Sequence, residues 1–128
     1  HQIPFSADIL KILQTADLFL FPSYQEGLPM ALLEAMASGL PVICSDIRGS
    51  RDLMGDILSQ NGSISLCSGG IMVKKADDAA AYSKAIRHLL NHSENIKNLG
   101  RENINKSKMF YSNIVIEKME KIYQRILT

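Results

Sequence analysis

Pro22-Ser23-Tyr24-Gln25-Glu26-Gly27-Leu28-Pro29-Met30-Ala31-Leu32-Leu33-Glu34-Ala35-Met36-Ala37-Ser38-Gly39-Leu40-Pro41-Val42-Ile43 is the stretch whose reading decides the fold. The apolar run Leu18-Phe19-Leu20-Phe21 leads into it, and a Glu-Gly turn follows. A helix is then expected from about Pro29 to Ser38. Proline is tolerated in a first helical turn because its missing N–H has no partner there anyway. Gly39 supplies a left-handed residue at the exit. Pro41 opens a second apolar run, Val42-Ile43-Cys44-Ser45. Both runs are short and unbroken, the pattern of strands buried on both faces of a parallel sheet. Strand, helix and strand joined by short loops read as a βαβ unit with a right-handed crossover.

Outward from this unit, Ser6 to Ala16 reads as a short amphipathic helix. Ser6 is its expected N-cap, and Ile9, Leu10, Ile12, Leu13 and Ala16 crowd one broad face. Beyond Ser45 the chain turns polar, with a helical turn at Arg51 to Met54. Gln60-Asn61-Gly62-Ser63 is expected to be a turn, and Ile64 to Cys67 alternates weakly. Gly69 to Val73 is the stronger strand candidate, expected to close the sheet at its edge. Asp77 or Asp78 caps a helix from about Ala79 to Asn91, with Ala85, Ile86, Leu89 and Leu90 inward. A second helix runs from about Ser93 through Asn105, interrupted near Gly100. The last, from about Asn113 to Leu127, carries Ile114, Ile116, Met119, Ile122, Tyr123 and Ile126 at helical spacing. The expected class is α/β: a three-layer, Rossmann-like half-domain with a helical C-terminal tail.

Composition narrows the function classes. The 128 residues, 46% of them hydrophobic, suit one domain with one core. A formal net charge of +1 gives no field that would gather nucleic acid. No apolar run approaches the roughly 18 residues of a membrane span, and no leader pattern precedes the first helix. Cys44 and Cys67 lack metal spacing and read as reduced thiols of a cytoplasmic protein. The start at His1, without a methionine, suggests a piece of something longer.

The candidate site follows from the topology. Ligands of open parallel sheets bind beyond the carboxyl ends of the strands, which is where Pro22 to Pro29 falls. A helix start offers unpaired N–H groups and the positive end of a dipole, and Gly27 lets backbone approach closely. The amides of Gly27, Leu28 and Met30 therefore suit a diphosphate, while Pro29 cannot donate. Glu26, at the loop tip, can accept from ligand hydroxyls. Glu34 lies one to two turns in and leans back toward the N-terminus, a carboxylate suited to the vicinal diol of a ribose. A glutamate near a helix start is also favoured by the dipole alone, so spacing by itself does not decide between these readings.

Elsewhere the bland reading wins. His88 and His92 stand one turn apart, as metal ligands can, but no third ligand accompanies them and they read as a solvated pair. Cys44 reads as packing, and Lys74-Lys75 as a solvated edge. The basic scatter at Lys97, Arg101, Lys106 and Lys108 offers a peripheral membrane contact, yet interleaved Glu102 and asparagines make an ordinary wet face the better reading.

The run Glu26 to Ile43 resembles the E-x7-E signature of glycosyltransferase family 4, retaining, nucleotide-sugar-dependent enzymes of the two-domain GT-B fold. Ala16-Asp17-Leu18-Phe19-Leu20-Phe21-Pro22-Ser23 is similar to the family's "ADxFxxPS" strand. Ser45-Asp46-Ile47-Arg48-Gly49-Ser50-Arg51-Asp52-Leu53 is similar to the loop that follows in members building capsular and exopolysaccharides. The likeness continues more loosely through Gly69-Gly70-Ile71, Asp77 and the final helices. It implies a donor-binding part of a GT-B enzyme with the leading strands missing. Glu26 would contact the transferred sugar near its reacting carbon, in a catalytic role of positioning and stabilising. Glu34 would hold the ribose hydroxyls. The segment Gly27, Leu28, Pro29 and Met30 would meet sugar and diphosphate through its backbone, and Ile3, Pro4 and Phe5 fall where members pack the base. Arg48 stands where many members carry a glycine.

The resemblance further implies a nucleotide-sugar donor, a glycan or lipid-linked acceptor, no metal or other cofactor, and work at the inner face of the membrane. The Arg and Lys that neutralise the departing diphosphate, and the acceptor site of an N-terminal domain, lie outside these residues in such enzymes. Loss of that electrostatic help leads to the expectation that the 128 residues alone do not turn over. Uncovered sheet edge and apolar surface make self-association an expectation too. Two other readings stand beside this one: a GT-B nucleotide-sugar epimerase, and a non-catalytic binding or assembly module.

Overall fold

A computed structural model of the chain describes residues 2–127; His1 and Thr128 lie outside the described residues. In chain order the elements are α1 (Ile9–Gln14), β1 (Phe19–Phe21), α2 (Met30–Ala37), β2 (Val42–Ser45), α3 (Arg48–Met54), β3 (Ile57–Asn61), β4 (Ile64–Cys67), β5 (Gly70–Val73), α4 (Ala79–Asn91), α5 (Ile96–Ser107) and α6 (Ser112–Leu127). The strands form one sheet in the order β1-β2-β5-β4-β3. β2 runs parallel to β1, with Phe19 opposite Val42, and parallel to β5, with Val42 opposite Gly70. Two parallel neighbours and helices on both faces leave β2 no exposed residue, which is why its sequence is an unbroken apolar run ending in serine.

Alternation along these strands builds three layers. Val42, Cys44 and Met72 face one side, with Leu32, Leu33 and Met36 of α2 and Leu53 and Met54 of α3. Ile43, Ile71 and Val73 face the other, with Ala81, Tyr82, Ala85 and Leu89 of α4. The Ser45 hydroxyl, on the α4 side, shares a buried 3.0 Å hydrogen bond with the Tyr82 hydroxyl. The three-layer, Rossmann-like expectation holds for the body of the chain.

Several local expectations change. β5 lies inside the sheet, not at its edge: β4 pairs antiparallel with it, Cys67 opposite Gly70, and β3 pairs antiparallel with β4. The edges are β1 and β3. β3 escaped the sequence reading because every one of its residues is exposed, so no buried face imposes alternation on it. The Gln60 to Ser63 turn narrows to Gly62-Ser63, with Gln60 and Asn61 in β3. α3 starts at Arg48 and is longer than the turn expected at Arg51. In α1 the cap is Asp8, accepting from the Lys11 N–H at 3.3 Å, while Ser6 accepts from the Asp8 N–H instead. Of its apolar face only Leu13 is buried. α4 is capped by Asp78, and Leu90 turns outward while Ala81 and Tyr82 turn in.

α5 is not interrupted at Gly100. A Cβ at Gly100 would stand 2.2 Å from the Gly39 carbonyl oxygen, so this glycine marks the place where α5 crosses the exit of α2 at backbone contact. Gly39 itself has φ +79 and ends α2, its N–H bonded to the Met36 carbonyl at 3.0 Å. One turn on, Asn103 Nδ2 donates to the carbonyls of Leu40 at 2.7 Å and Gly69 at 2.8 Å, tying the α2 exit to the β4–β5 turn. Lys106 leaves the basic scatter for the interior: its ammonium donates to the Met54 carbonyl at 2.7 Å and to Ser68 Oγ, so it caps the C-terminal end of α3. Burial pulls its pKa down. α6 forms as expected, but it buries none of its residues. Its stripe of Ile116, Met119, Ile122, Tyr123 and Ile126 stands open.

Candidate functional site

β1 and β2 end side by side, and the segments that leave them line one cleft of about 690 Å³. Tyr24 to Gly27 come from the β1 side, and Asp46, Ile47, Arg48, Arg51 and Asp52 from the β2 side. The two walls touch through α3. A Cβ at Gly49 would lie 2.2 Å from the Gly27 carbonyl oxygen and 3.0 Å from that of Glu26, so only a glycine permits this approach. The contact fixes the Glu26-Gly27 backbone against the first turn of α3. On its other side Gly27 meets nothing within 4 Å of where a Cβ would project.

Glu26 is half-buried, and its carboxylate accepts from Ser23 Oγ at 2.8 Å. Across the cleft Arg51 Nε donates to Asp46 Oδ1 at 2.5 Å. That hydrogen bond, and then the Asp46 charge, hold the Arg51 pKa above its ordinary value. Arg48 is exposed and forms no ion pair among the described residues.

α2 begins beside this cleft with Pro29 as its N-cap. Pro29 is extended (ψ 100), its side chain is buried, and no side chain caps the helix. The first backbone bond into the helix runs from the Leu33 N–H to the Pro29 carbonyl at 3.1 Å. The N–H groups of Met30, Ala31 and Leu32 precede that bond and so have no intrahelical acceptor. Leu28 and Met30 expose their side chains, and Glu34 is exposed one turn further on. Neither Glu26 nor Glu34 forms an ion pair among the described residues.

Of the residues singled out in the sequence, Glu26 and Gly27 line the cleft itself. Leu28, Pro29, Met30 and Glu34 belong to the helix start and do not line it. Ile3 and Phe5, placed by resemblance near a base, are exposed, Phe5 almost completely at 98%. The whole β2-side wall was missed as site material. Its signal was present: Asp46-Ile47-Arg48-Gly49-Ser50-Arg51-Asp52 sets four charges around a glycine directly after a strand end.

Other groups fall outside the site. Cys44 and Cys67 are free and buried. Burial pushes their thiols up to about 12 and about 11, which leaves almost no reactive thiolate at neutral pH. His88 and His92 stack with ring centroids 4.4 Å apart, and His92 Nδ1 lies 2.8 Å from the His88 carbonyl oxygen. Among the described residues no three His, Cys, Asp or Glu side chains gather as a metal site, and no helix is long and apolar enough to cross a membrane.

A sheet whose carboxyl edge carries this cleft, layered between α4 and the α2–α3 pair, matches the Rossmann-like half of the GT-B fold. The sucrose-phosphate synthase of Thermosynechococcus elongatus shares the fold at a TM-score of 0.73 and 23% identity, over 94% of this chain and 28% of that one. The chain belongs to the family described as glycosyl transferases group 1, whose model matches residues 2–92. It is 29% identical, over 99% of its length, to the N,N'-diacetylbacillosaminyl-diphospho-undecaprenol alpha-1,3-N-acetylgalactosaminyltransferase of Campylobacter jejuni. It is 33% identical, over 87% of its length, to the UDP-Gal:alpha-D-GlcNAc-diphosphoundecaprenol alpha-1,3-galactosyltransferase of Escherichia coli. The chain spans 31% and 29% of the lengths of these two relatives.

Proposed function

We propose that this chain is the nucleotide-sugar-binding part of a retaining glycosyltransferase. The whole enzyme transfers a hexosyl group from a nucleoside-diphosphate sugar to an acceptor hydroxyl in polysaccharide or glycolipid synthesis. The observation that carries the reading is the cleft at the carboxyl ends of β1 and β2, with Glu26 held at its wall and the uncapped start of α2 beside it. In this reading the diphosphate meets the free amides of α2, where the dipole favours negative charge. Glu26 accepts from hydroxyls of the transferred sugar and stabilises charge developing at its reacting carbon. Ser23 orients that carboxylate through its 2.8 Å hydrogen bond. Glu34 takes the ribose diol. Gly27, Leu28, Pro29 and Met30 supply the backbone between these groups, with buried Pro29 fixing the entry into the helix.

The two relatives' names specify diphospho-undecaprenol-linked acceptors. By extension we place this enzyme's work on a lipid-linked acceptor at the cytoplasmic face of the membrane, with no bound metal in the transfer. Titration calorimetry of the 128-residue chain with UDP, GDP and ADP tests the reading. One of the three is expected to bind, and Glu34→Ala to weaken it by about tenfold, the loss of one or two charge-assisted hydrogen bonds. Binding of none of them, or equal binding by the variant, would overturn it.

A further inference from the structure

We infer that Arg48 is a diphosphate-binding residue of this cleft; the inference rests on the nucleotide-sugar reading and adds to it a contact on the β2-side wall. The charges of the cleft are three carboxylates, Glu26, Asp46 and Asp52, and two guanidinium groups, Arg48 and Arg51. Asp46 and Arg51 satisfy each other at 2.5 Å. Glu26 is engaged by a neutral hydroxyl. Arg48 and Asp52 stand four positions apart on α3, the spacing at which such pairs usually close, yet no ion pair forms between them. Among the described residues that leaves Arg48 as the unpaired cation of the cleft, with Glu26 and Asp52 as its carboxylates outside any ion pair.

A ligand that suits this wall has a definite layout. It brings its anionic part to Arg48 and turns hydroxyls toward Glu26 and Asp52, the lining carboxylates that no cation pairs among the described residues. A diphosphate joined to a hydroxyl-rich group has that layout, and the guanidinium fork matches phosphate oxygens bidentately. Position agrees. Arg48 is the first residue of α3, adjacent to Gly49, whose Cα packs on the Gly27 carbonyl, and Gly27 has open space on its far side. Arg48 is therefore next to the backbone that the proposed function puts against sugar and diphosphate. Its exposure means that replacing it disturbs no packing.

Two sources could supply the diphosphate: the nucleotide donor, or a lipid-linked diphosphate acceptor. The experiment separates them. The chain, Arg48→Gln, Arg48→Lys and Glu34→Ala are titrated with inorganic pyrophosphate, with UDP, GDP and ADP, with the corresponding nucleosides, and with farnesyl diphosphate. Arg48→Gln is expected to weaken pyrophosphate by about tenfold, leaving nucleoside affinity unchanged. Arg48→Lys, which keeps the charge and loses the fork, should fall between. Glu34→Ala should show the converse, losing nucleoside affinity and keeping pyrophosphate. If Arg48→Gln lowers affinity for the nucleoside diphosphates and not for farnesyl diphosphate, the donor is the source; the reverse assigns it to the acceptor. Unchanged pyrophosphate affinity in Arg48→Gln overturns the inference while leaving the nucleotide reading intact. Arg48-dependent pyrophosphate binding without any nucleotide binding leaves the inference standing and removes the reading. A chain that binds none of these ligands loses both.

Discussion

Two helices start at the same edge of the sheet, α2 after β1 and α4 after β5, and they treat their first N–H groups in opposite ways. α4 closes itself: the Asp78 carboxylate accepts from the Ala81 N–H at 2.9 Å. α2 has a proline at the equivalent position and no side-chain acceptor. Both starts carry the same partial positive charge. In α4 that charge is met by the Asp78 carboxylate, and in α2 no side chain among the described residues meets it, which is what leaves room for the proposed ligand. The carboxylates near α2 are displaced from the cap, Glu26 to the loop before it and Glu34 to the turn after it. The acid that caps α4 sits on the helix mouth; the two acids proposed to meet a ligand stand back from it.

The largest expected effect that tests this contrast comes from Glu26. In the full-length enzyme Glu26→Ala should lower turnover on the order of a hundredfold, about 2.7 kcal/mol of transition-state stabilisation. Nucleotide affinity should stay within about twofold. Steady-state kinetics and calorimetry on the same preparation decide it. A loss of nucleotide affinity as large as the loss of turnover would put Glu26 in ground-state binding and erase its distinction from Glu34.

Asp78→Ala is the matching experiment on the closed helix, with a smaller effect of the opposite kind. Removing an N-cap carboxylate costs about 1 kcal/mol, which for a chain of this size lowers the melting temperature by about 4 °C. Denaturant unfolding should show that loss with no change in nucleotide affinity. A variant with native stability and weakened nucleotide binding would mean that the start of α4 also serves the ligand, and the contrast would fail.

How much of this was legible in the sequence follows from what each residue is asked to do. Pro29 to Gly39 and Val42 to Ser45 were readable because a helix ended by glycine and a strand buried on both faces leave marks in composition. Leu18 to Phe21 carries the same apolar mark, yet its strand β1 is an edge with Leu20 exposed. β3 was unreadable because nothing covers Ile57 to Asn61, and without it Gly70 to Val73 looked like an edge. Gly100 looked like a helix breaker because the demand for a glycine came from Gly39, far away in the chain. Lys106 looked like a surface cation because its acceptors, Met54 and Ser68, are distant in sequence. The same holds for the site. Glu26 and Gly27 announce themselves by their place after a strand, whereas Arg48 gains its meaning from Gly49 packing on Gly27 and from Arg51 having already taken Asp46. The apolar stripe of α6 was visible as a helix face, but the described residues do not cover it.

The smallest expected effect lies at the other end of α4, where the helix start is closed but the last turn is not settled. His88 is partly covered there, with its pKa lowered first by burial and then by the charges of His92 and Lys84. Arg87 lines one groove with it, and Glu102 of α5 lines another. The folded chain therefore takes up a proton at His88 at lower pH than the unfolded chain, whose imidazole titrates near 6.5. As pH falls through 6.5 toward the lower folded value, the unfolded state binds more protons and stability drops; above that window His88 costs nothing. Solvent screening keeps the effect below about 0.5 kcal/mol. Denaturant midpoints at pH 7.5 and 5.5 measure it as a difference. The wild type should lose slightly more stability on acidification than His88→Gln, with the carboxylates common to both cancelling. A variant that loses more than the wild type would reverse the sign and show that the charged imidazole is welcomed at this helix end, as a dipole acting alone would have it.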